Sequence, residues 1–149
     1  MALRDDIEGN DSYYIVEIKS LKRIMDSIND NIPCLCIIDE ILRGTNTVER
    51  IAASSEVLNS IANSNCLCIS ATHDVELTSI LSNVFENYHF QENIMEDKIT
   101  FDYKLYSGKA KTRNAIKLLR IMGYSDTVVS NAEKMAEDFL HQGIWKEIQ

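Results

Sequence analysis

The stretch Cys34-Leu35-Cys36-Ile37-Ile38-Asp39-Glu40 joins an unbroken apolar run to two adjacent carboxylates. An apolar run of this length between polar segments is typical of a strand that is buried on both faces of a sheet. At the end of such a strand the chain turns, so two neighbouring side chains can face one site. One carboxylate there can hold Mg²⁺ while the other orients or deprotonates an attacking water. The stretch therefore predicts a buried strand with a candidate catalytic end.

Helical patterns flank this strand on both sides. Upstream, apolar residues recur every three or four positions from Ile15 to Ile28, and Asp11 or Ser12 can cap the start of that helix. Downstream, a polar turn with Gly44 leads into a second helical period from Val48 to Ala62. The strand is therefore expected to lie between two amphipathic helices.

A second apolar run, Cys66 to Ala71, follows the downstream helix. The order strand, helix, strand implies two parallel strands with a crossover helix, and hence an α/β fold whose parallel sheet is flanked by helices. Such sheets carry their chemistry at the carboxyl ends of the strands, which here are Asp39-Glu40 and Thr72-His73-Asp74. A histidine in that place can donate to a terminal phosphate or hold a water, although an isolated one would be a surface residue bonded to a loop.

The C-terminal third has a different pattern. Short alternating pieces, residues 88–90 and 99–103, surround a polar turn near Glu96 to Lys98 and predict a β-hairpin. Two helices follow, Asn114 to Met122 and Asp126 to Leu140, and the acidic second one suits packing or dimer contact better than DNA reading. We expect residues 1–110 to form the core and residues 111–149 to form a C-terminal helical pair.

Composition narrows the class of protein. The chain has 149 residues, 45% of them hydrophobic, and a formal net charge of −8. That charge opposes broad contact with a nucleic acid backbone, which Lys and Arg normally drive. A basic stretch from Lys104 to Arg120 is either a solvated face or a phosphate or partner patch. No apolar run reaches the roughly 18 residues of a membrane span, and the N-terminus lacks signal-peptide order, so we expect a cytoplasmic protein without a membrane partner.

The cysteines occur as two pairs, Cys34 with Cys36 and Cys66 with Cys68. Four thiolates could in principle close a tetrahedral zinc site. Each pair lies inside an apolar run with strand character, where cysteine behaves as a small buried hydrophobe. We therefore predict buried thiols at these positions rather than a zinc site.

Two motifs stand in a fixed order along the chain: Asp39-Glu40-Ile41-Leu42-Arg43-Gly44-Thr45-Asn46-Thr47, followed by a helix and then by Ser70-Ala71-Thr72-His73. Both the order and the spacing resemble those of the MutS family of mismatch-repair ATPases. Upstream, Asp11-Ser12-Tyr13-Tyr14-Ile15-Val16-Glu17 is similar to the family's signature-serine segment. Downstream, Gly108 and the two helices are similar to its tail. The likeness runs from about residue 5 to about residue 140.

The resemblance implies part of a P-loop NTPase fold of the ABC type, with ATP and Mg²⁺ as cofactors. In such a protein Asp39 would coordinate Mg²⁺ as part of a Walker B motif, Glu40 would activate water, and His73 would sense the γ-phosphate. Ser12 would reach the γ-phosphate of the opposite subunit in a homodimer. The loop that crosses the dimer interface would consist of Arg43, Gly44, Thr45 and Asn46. Other domains of such a protein would bind DNA, and hydrolysis would be coupled to DNA repair.

The sequence also departs from the family pattern at several identifiable positions. The sequence has no Gly-x-x-x-x-Gly-Lys-Ser/Thr phosphate loop, so we expect the chain alone to bind ATP weakly and to turn over essentially none. The segments Ile41-Leu42 and Thr47-Val48-Glu49-Arg50 differ from the usual mismatch-repair pattern, as does Arg113-Asn114, and indicate a divergent member. Two alternatives stay open: another ABC-type ATPase, although the Leu-Ser-Gly-Gly-Gln signature is absent, and a non-catalytic dimerisation module.

Overall fold

The computed structural model describes residues 12–95, 98–110 and 114–148. The chain divides into two compact units between Tyr88 and His89. Elements of the first unit are α1 (Tyr13–Ser27), β1 (Cys34–Asp39), α2 (Thr47–Ala62), β2 (Cys66–Ala71) and α3 (Val75–Ile80). From the boundary onward come β3 (Tyr88–His89), β4 (Glu92–Met95), β5 (Lys98–Phe101), β6 (Tyr106–Ser107), α4 (Ala115–Ile121) and α5 (Asp126–Gln142). The chain is therefore a mixed α/β protein, as predicted.

Strands β1 and β2 form a parallel pair, which confirms the predicted strand, helix, strand succession. Their register places Cys34 opposite Cys66 and Asp39 opposite Ala71. Because the pair is parallel and in step, both carboxyl ends lie at the same edge. Helix α2 makes the crossover, and its start is fixed by Asn46, whose side chain accepts a hydrogen bond from the Glu49 amide.

The two faces of the β1–β2 pair differ in burial. Cys36 and Ile38 are buried in a core to which α1, α2, α3 and the residue after α3 contribute side chains: Leu21, Leu58, Ile61, Leu77 and Leu81. The opposite face carries Leu35, Ile37, Leu67 and Ile69, which are 56–68% exposed. The sequence predicted burial on both faces, but the described residues cover only one. All three helices pack on the same side of the strand pair.

Helix α1 packs the second half of its predicted apolar stripe on the core. The stripe residues of that half lie in or against the core: Leu21, Ile24, Met25 and Ile28. Ile15 and Ile18, at the start of the stripe, are exposed. The other buried positions of the helix are polar, Glu17 and Ser20, and the Glu17 carboxylate binds a backbone amide of the loop after β1. Periodicity therefore predicted the helix and the core contacts of its second half, but not the buried Glu17 and Ser20.

The second unit contains the predicted hairpin, with a different first strand. Strand β4 pairs antiparallel with β5, whereas β3 pairs with β6. The turn residues 96 and 97 lie outside the described residues, as do Lys111 and Arg113 of the basic stretch. The segment at residues 88–90 is too far from the turn to be the partner of β5, because a tight turn joins strands that flank it directly.

Helices α4 and α5 pack against each other as the predicted pair. Ser125 caps α5 by accepting a hydrogen bond from the Val128 amide, and Gly143 ends it in the left-handed conformation at φ 71°. Arg120 of α4 forms an ion pair with Glu133 of α5 at 3.3 Å. None of the helices in the described ranges combines the length and apolarity that crossing a bilayer requires.

Candidate functional site

The loops that follow β1 and β2 begin side by side. Asp39 is the last residue of β1, and the next residue, Glu40, donates its amide hydrogen to the Ala71 carbonyl at 3.0 Å. This bond continues the strand pairing one residue beyond β1. Side chains from the two loops are therefore held within reach of each other.

Glu40 and His73 meet at this edge. Nε2 of His73 lies 3.1 Å from Oε1 of Glu40, an ion pair when the imidazole is protonated. The His73 side chain is 95% exposed, while that of Glu40 is 21% exposed. The two candidate catalytic residues that the sequence placed on separate strand ends are thus brought together.

Asp39 immediately precedes Glu40 and is the last residue of β1. Side chains alternate along a strand, so Asp39 shares a face with Leu35 and Ile37, the exposed apolar face of the sheet. Its carboxylate is exposed and is available to a ligand approaching that face. Within residues 12–95, 98–110 and 114–148, no three acidic, His or Cys side chains are grouped as a metal cage.

The backbone after β1 adopts an unusual conformation. Glu40 and Leu42 have φ values of 58° and 56°, in the left-handed region that L-residues seldom occupy. Each such residue costs on the order of 1 kcal/mol, so the turn needs support from its surroundings. Helix α1 supplies that support: the Leu42 amide donates to Oε1 of Glu17 at 2.5 Å.

Glu17 is a buried carboxylate, 5% exposed, facing backbone amides. Burial raises its pKa, and the amides of Leu42, Arg43 and Gly44 together with the Arg43 charge oppose that rise. Its second oxygen, Oε2, has no hydrogen-bond partner among the described residues. The sequence reasoning gave Glu17 no role, although it occurs in phase with Leu21 and Ile24 of the apolar stripe. A carboxylate at the spacing of buried residues was the signal that could have identified it.

Gly44 allows α1 to lie close to the loop. A Cβ at position 44 would lie 2.9 Å from Cβ of Tyr14 and 3.2 Å from its Cα. Both distances are shorter than ordinary van der Waals contact, so only glycine fits without displacement of α1. The role of Gly44 at a dimer interface stays a prediction, whereas the close approach of Gly44 and α1 is a feature of the structure.

The other predicted binding residues have these positions. Thr45 and Asn46 both bind the Glu49 carboxylate, with Oγ1 to Oε2 at 3.2 Å and Nδ2 to Oε2 at 2.6 Å. Together with the bond from the Glu49 amide to Oδ1 of Asn46, these contacts cap the start of α2. Arg43 is exposed. Ser12 is the N-cap residue of α1, and among the described residues its side chain makes no capping hydrogen bond.

An ion pair beside the site was not predicted from the sequence. Arg50, near the start of α2, forms a two-pronged ion pair with Asp74, which immediately follows His73. The two residues are 24 positions apart, and no local pattern links them.

The cysteines line up across the strand pair on its core side. Cys34 lies opposite Cys66 and Cys36 lies opposite Cys68, and each is a free thiol. Burial raises the pKa of Cys66 to about 11 and that of Cys68 to about 12, with the neighbouring cysteines adding to both increases. These two groups are protonated at neutral pH.

The geometry defines what the site can do. Glu40 and His73 lie 3.1 Å apart, so both can form hydrogen bonds to one water molecule and one of them can accept its proton. Asp39 offers hard carboxylate oxygens of the kind Mg²⁺ prefers.

Known proteins resemble the chain over nearly its whole length. Residues 1–140 match the family model described as MutS domain V. The DNA mismatch repair protein MutS of Natronomonas pharaonis is 31% identical over 136 residues, which are 88% of this chain and 15% of that protein. The DNA mismatch repair protein MutS 2 of Haloarcula marismortui is 27% identical over 137 residues, 90% of this chain and 14% of that protein.

The chain thus spans about one seventh of the length of these relatives. The match extends through both compact units and includes the strand ends at which Glu40 and His73 meet. The chain belongs to the MutS family, in which residues 1–140 match domain V.

Proposed function

We propose that this chain supplies the magnesium-binding and water-activating half of a MutS-type ATPase site. The observation that carries the proposal is the contact between Glu40 and His73 at the shared carboxyl edge of two parallel strands. The phosphate-binding loop belongs to another segment, of the same polypeptide or of a partner, because this sequence contains no such motif. Together the two segments form a P-loop NTPase sheet of the ABC type.

Three residues share the chemistry. Glu40 accepts a proton from the attacking water, and His73 orients that water or donates to the terminal phosphate. Asp39 holds Mg²⁺ through its carboxylate, and Mg²⁺ neutralises charge on the phosphates. Magnesium commonly takes only one or two protein carboxylates, with waters and phosphates as its other ligands, so one exposed aspartate fits it.

The exposed apolar face of β1 and β2 supports completion of the sheet by a further segment. Parallel strands are normally covered on both faces, and this face has four large apolar side chains in contact with water. Asp39 lies on the same face. A segment that covers it would bring its phosphate loop to Asp39.

The wider role follows from the family. The relatives are named DNA mismatch repair proteins, and we propose that ATP hydrolysis at this site is coupled to DNA binding in repair. We propose that other segments make the DNA contacts, because this chain has a net charge of −8 and such a charge does not favour contact with DNA phosphates. Ser12 and the loop Arg43, Gly44, Thr45 and Asn46 would face a second subunit across the nucleotide.

The decisive experiment measures ATP hydrolysis by this chain assembled with a segment that carries the phosphate loop. Glu40→Gln keeps the size of the side chain and removes the base, so turnover should fall about 10²- to 10⁴-fold while ATP binding persists. Glu56→Gln, at an exposed position on α2, is the matched control and should be neutral. An unchanged rate in Glu40→Gln would leave the non-catalytic dimerisation module as the better account.

The isolated chain provides a second test. Calorimetric titration with MgATP should show no micromolar binding. In ATPases of this kind, the backbone amides and the lysine of the phosphate loop provide most of the affinity for the nucleotide. Micromolar affinity would contradict the assignment of the phosphate grip to another segment.

A further inference from the structure

We infer that the ion pair between Arg50 and Asp74 is a positioning device that holds the His73 loop against Glu40. Both residues act through His73, and their effect on ATP turnover rests on the function proposed above. The claim about where His73 lies concerns the chain alone.

The pair has the geometry of a strong and directional contact. Nε of Arg50 donates to Oδ2 of Asp74 at 2.7 Å, and Nη2 donates to Oδ1 at 2.6 Å. Two parallel bonds of this kind fix orientation as well as distance. The side chains are only 21% and 15% exposed, so water and salt screen the pair less than they screen a surface pair. The first turns of α2 are thereby clamped to the residue that follows His73.

His73 has little else to hold its side chain, which is 95% exposed. Its position is set by the backbone of residues 72 to 74. On one side the Asp74 amide donates to the Thr72 hydroxyl at 3.0 Å, and on the other the Asp74 carboxylate is tied to Arg50. The loop is therefore fixed at both flanks of the imidazole.

The usual preferences of Arg and Asp at helix N-termini do not account for the pairing of Arg50 with Asp74. Asp74 is the N-cap residue of α3, where an aspartate usually caps its own helix, yet among the described residues its side chain makes no capping bond. Arg50 lies near the N-terminus of α2, where the helix dipole disfavours a cation. Asp74 therefore binds Arg50 instead of capping its own helix, and Arg50 lies at a helix position where a cation is unfavourable unless it is paired.

Arg50 also lies within electrostatic reach of Glu40. The pKa of Arg50 is raised first by its hydrogen bonds to Asp74, and the negative charge of Glu40 adds to that rise. Without Asp74, the guanidinium would be free to turn toward Glu40 and compete with His73. Loss of Asp74 should therefore disturb the contact between Glu40 and His73 more than loss of a surface ion pair would.

The first test uses the chain itself. We would record the ring ¹H and ¹⁵N chemical shifts of His73 by NMR in Arg50→Gln and in Asp74→Asn, which change charge with little change in size. Both variants should move the His73 signals toward those of a freely solvated imidazole. The matched control is Arg120→Gln, which removes an Arg–Glu pair in the other unit and should leave them in place.

The charge-swapped double variant, Arg50→Asp with Asp74→Arg, completes this test. Recovery of the wild-type His73 signals supports the inference. Unchanged His73 signals in both folded single variants overturn it. If the single variants do not fold, a folded double variant with displaced His73 signals overturns it as well.

The second test uses the assembled ATPase. Misplacing a catalytic group by about 1 Å can cost 10²-fold, so kcat should fall on the order of 10- to 100-fold in Arg50→Gln with KM for ATP unchanged. The double variant should restore much of kcat. If Glu40→Gln abolishes turnover but Arg50→Gln keeps both kcat and the His73 signals, the positioning role is wrong and the proposed function stands. If Glu40→Gln has no effect, the proposed function is wrong, and the NMR result alone decides whether the pair holds His73.

Discussion

Replacing Gly44 with alanine tests how the loop after β1 is held against α1. The added Cβ would lie 2.9 Å from Cβ of Tyr14 and 3.2 Å from its Cα. These atoms belong to the root of the side chain and to the helix backbone, so rotation of the tyrosine ring cannot relieve the contact. Either α1 or the loop has to move by several tenths of an ångström.

The expected cost follows from that displacement. Forcing a methyl group into a closely packed site typically costs about 1–3 kcal/mol. A loss of about 2 kcal/mol lowers the folded-to-unfolded ratio roughly 30-fold. Movement of α1 would also weaken the bond from the Leu42 amide to Glu17, which supports the strained turn beside Glu40.

Amide hydrogen exchange is the suitable assay, because it reports the first unit separately from the second. Residues of β1 and α2 should exchange faster in Gly44→Ala by about that factor. A cycle with Tyr14 supplies the control: Tyr14→Ala retains a Cβ and should leave the penalty in place, whereas Tyr14→Gly removes the nearest atom and should reduce it. Unchanged exchange in Gly44→Ala would refute the close packing of α1 on the loop.

Three further predictions concern burial and charge. Ile61→Ala should lower the free energy of unfolding by about 2–5 kcal/mol in a denaturant titration, because Ile61 is fully buried in the core of the first unit; a loss below about 1 kcal/mol would contradict that packing. Burial raises the pKa of Glu17, so the folded state binds the Glu17 proton more tightly than the unfolded state does. This proton binding stabilises the folded state fully at pH values below the unfolded-state pKa near 4.5. The stabilisation is lost as the pH rises through the folded-state pKa. Glu17→Gln cannot titrate, so its stability relative to wild type should improve from pH 4 to pH 7, and a difference independent of pH would count against the burial argument. Burial raises the pKa of Cys68 to about 12, so its thiolate fraction at pH 8 should be on the order of 10⁻⁴. Mass spectrometry should therefore show slow alkylation of Cys68 by iodoacetamide in the folded chain. Labelling as fast as in the denatured chain would disprove this.

Much of the first unit could be predicted because its elements have strong local signals. The apolar runs that became β1 and β2 and the periodic segment that became α2 were located almost to the residue. The rule that parallel strands present their carboxyl ends at one edge was enough to place Glu40 near His73. The six residues of α3 were missed, because so short a helix gives less than two turns of periodicity.

The sequence alone therefore determined the succession α1, β1, α2, β2, the family motifs and the two loops that carry the candidate site. Only the tertiary structure decided that Glu17 and Ser20 of α1 are buried, that β4 pairs with β5, and that Glu17 and Arg50 hold the two site loops. The contacts of Glu17 with Leu42 and of Arg50 with Asp74 join residues 25 and 24 positions apart. Hydrophobic period is a property of neighbouring residues, whereas such pairings depend on how separate elements pack, and that information is not present in any local stretch of the chain.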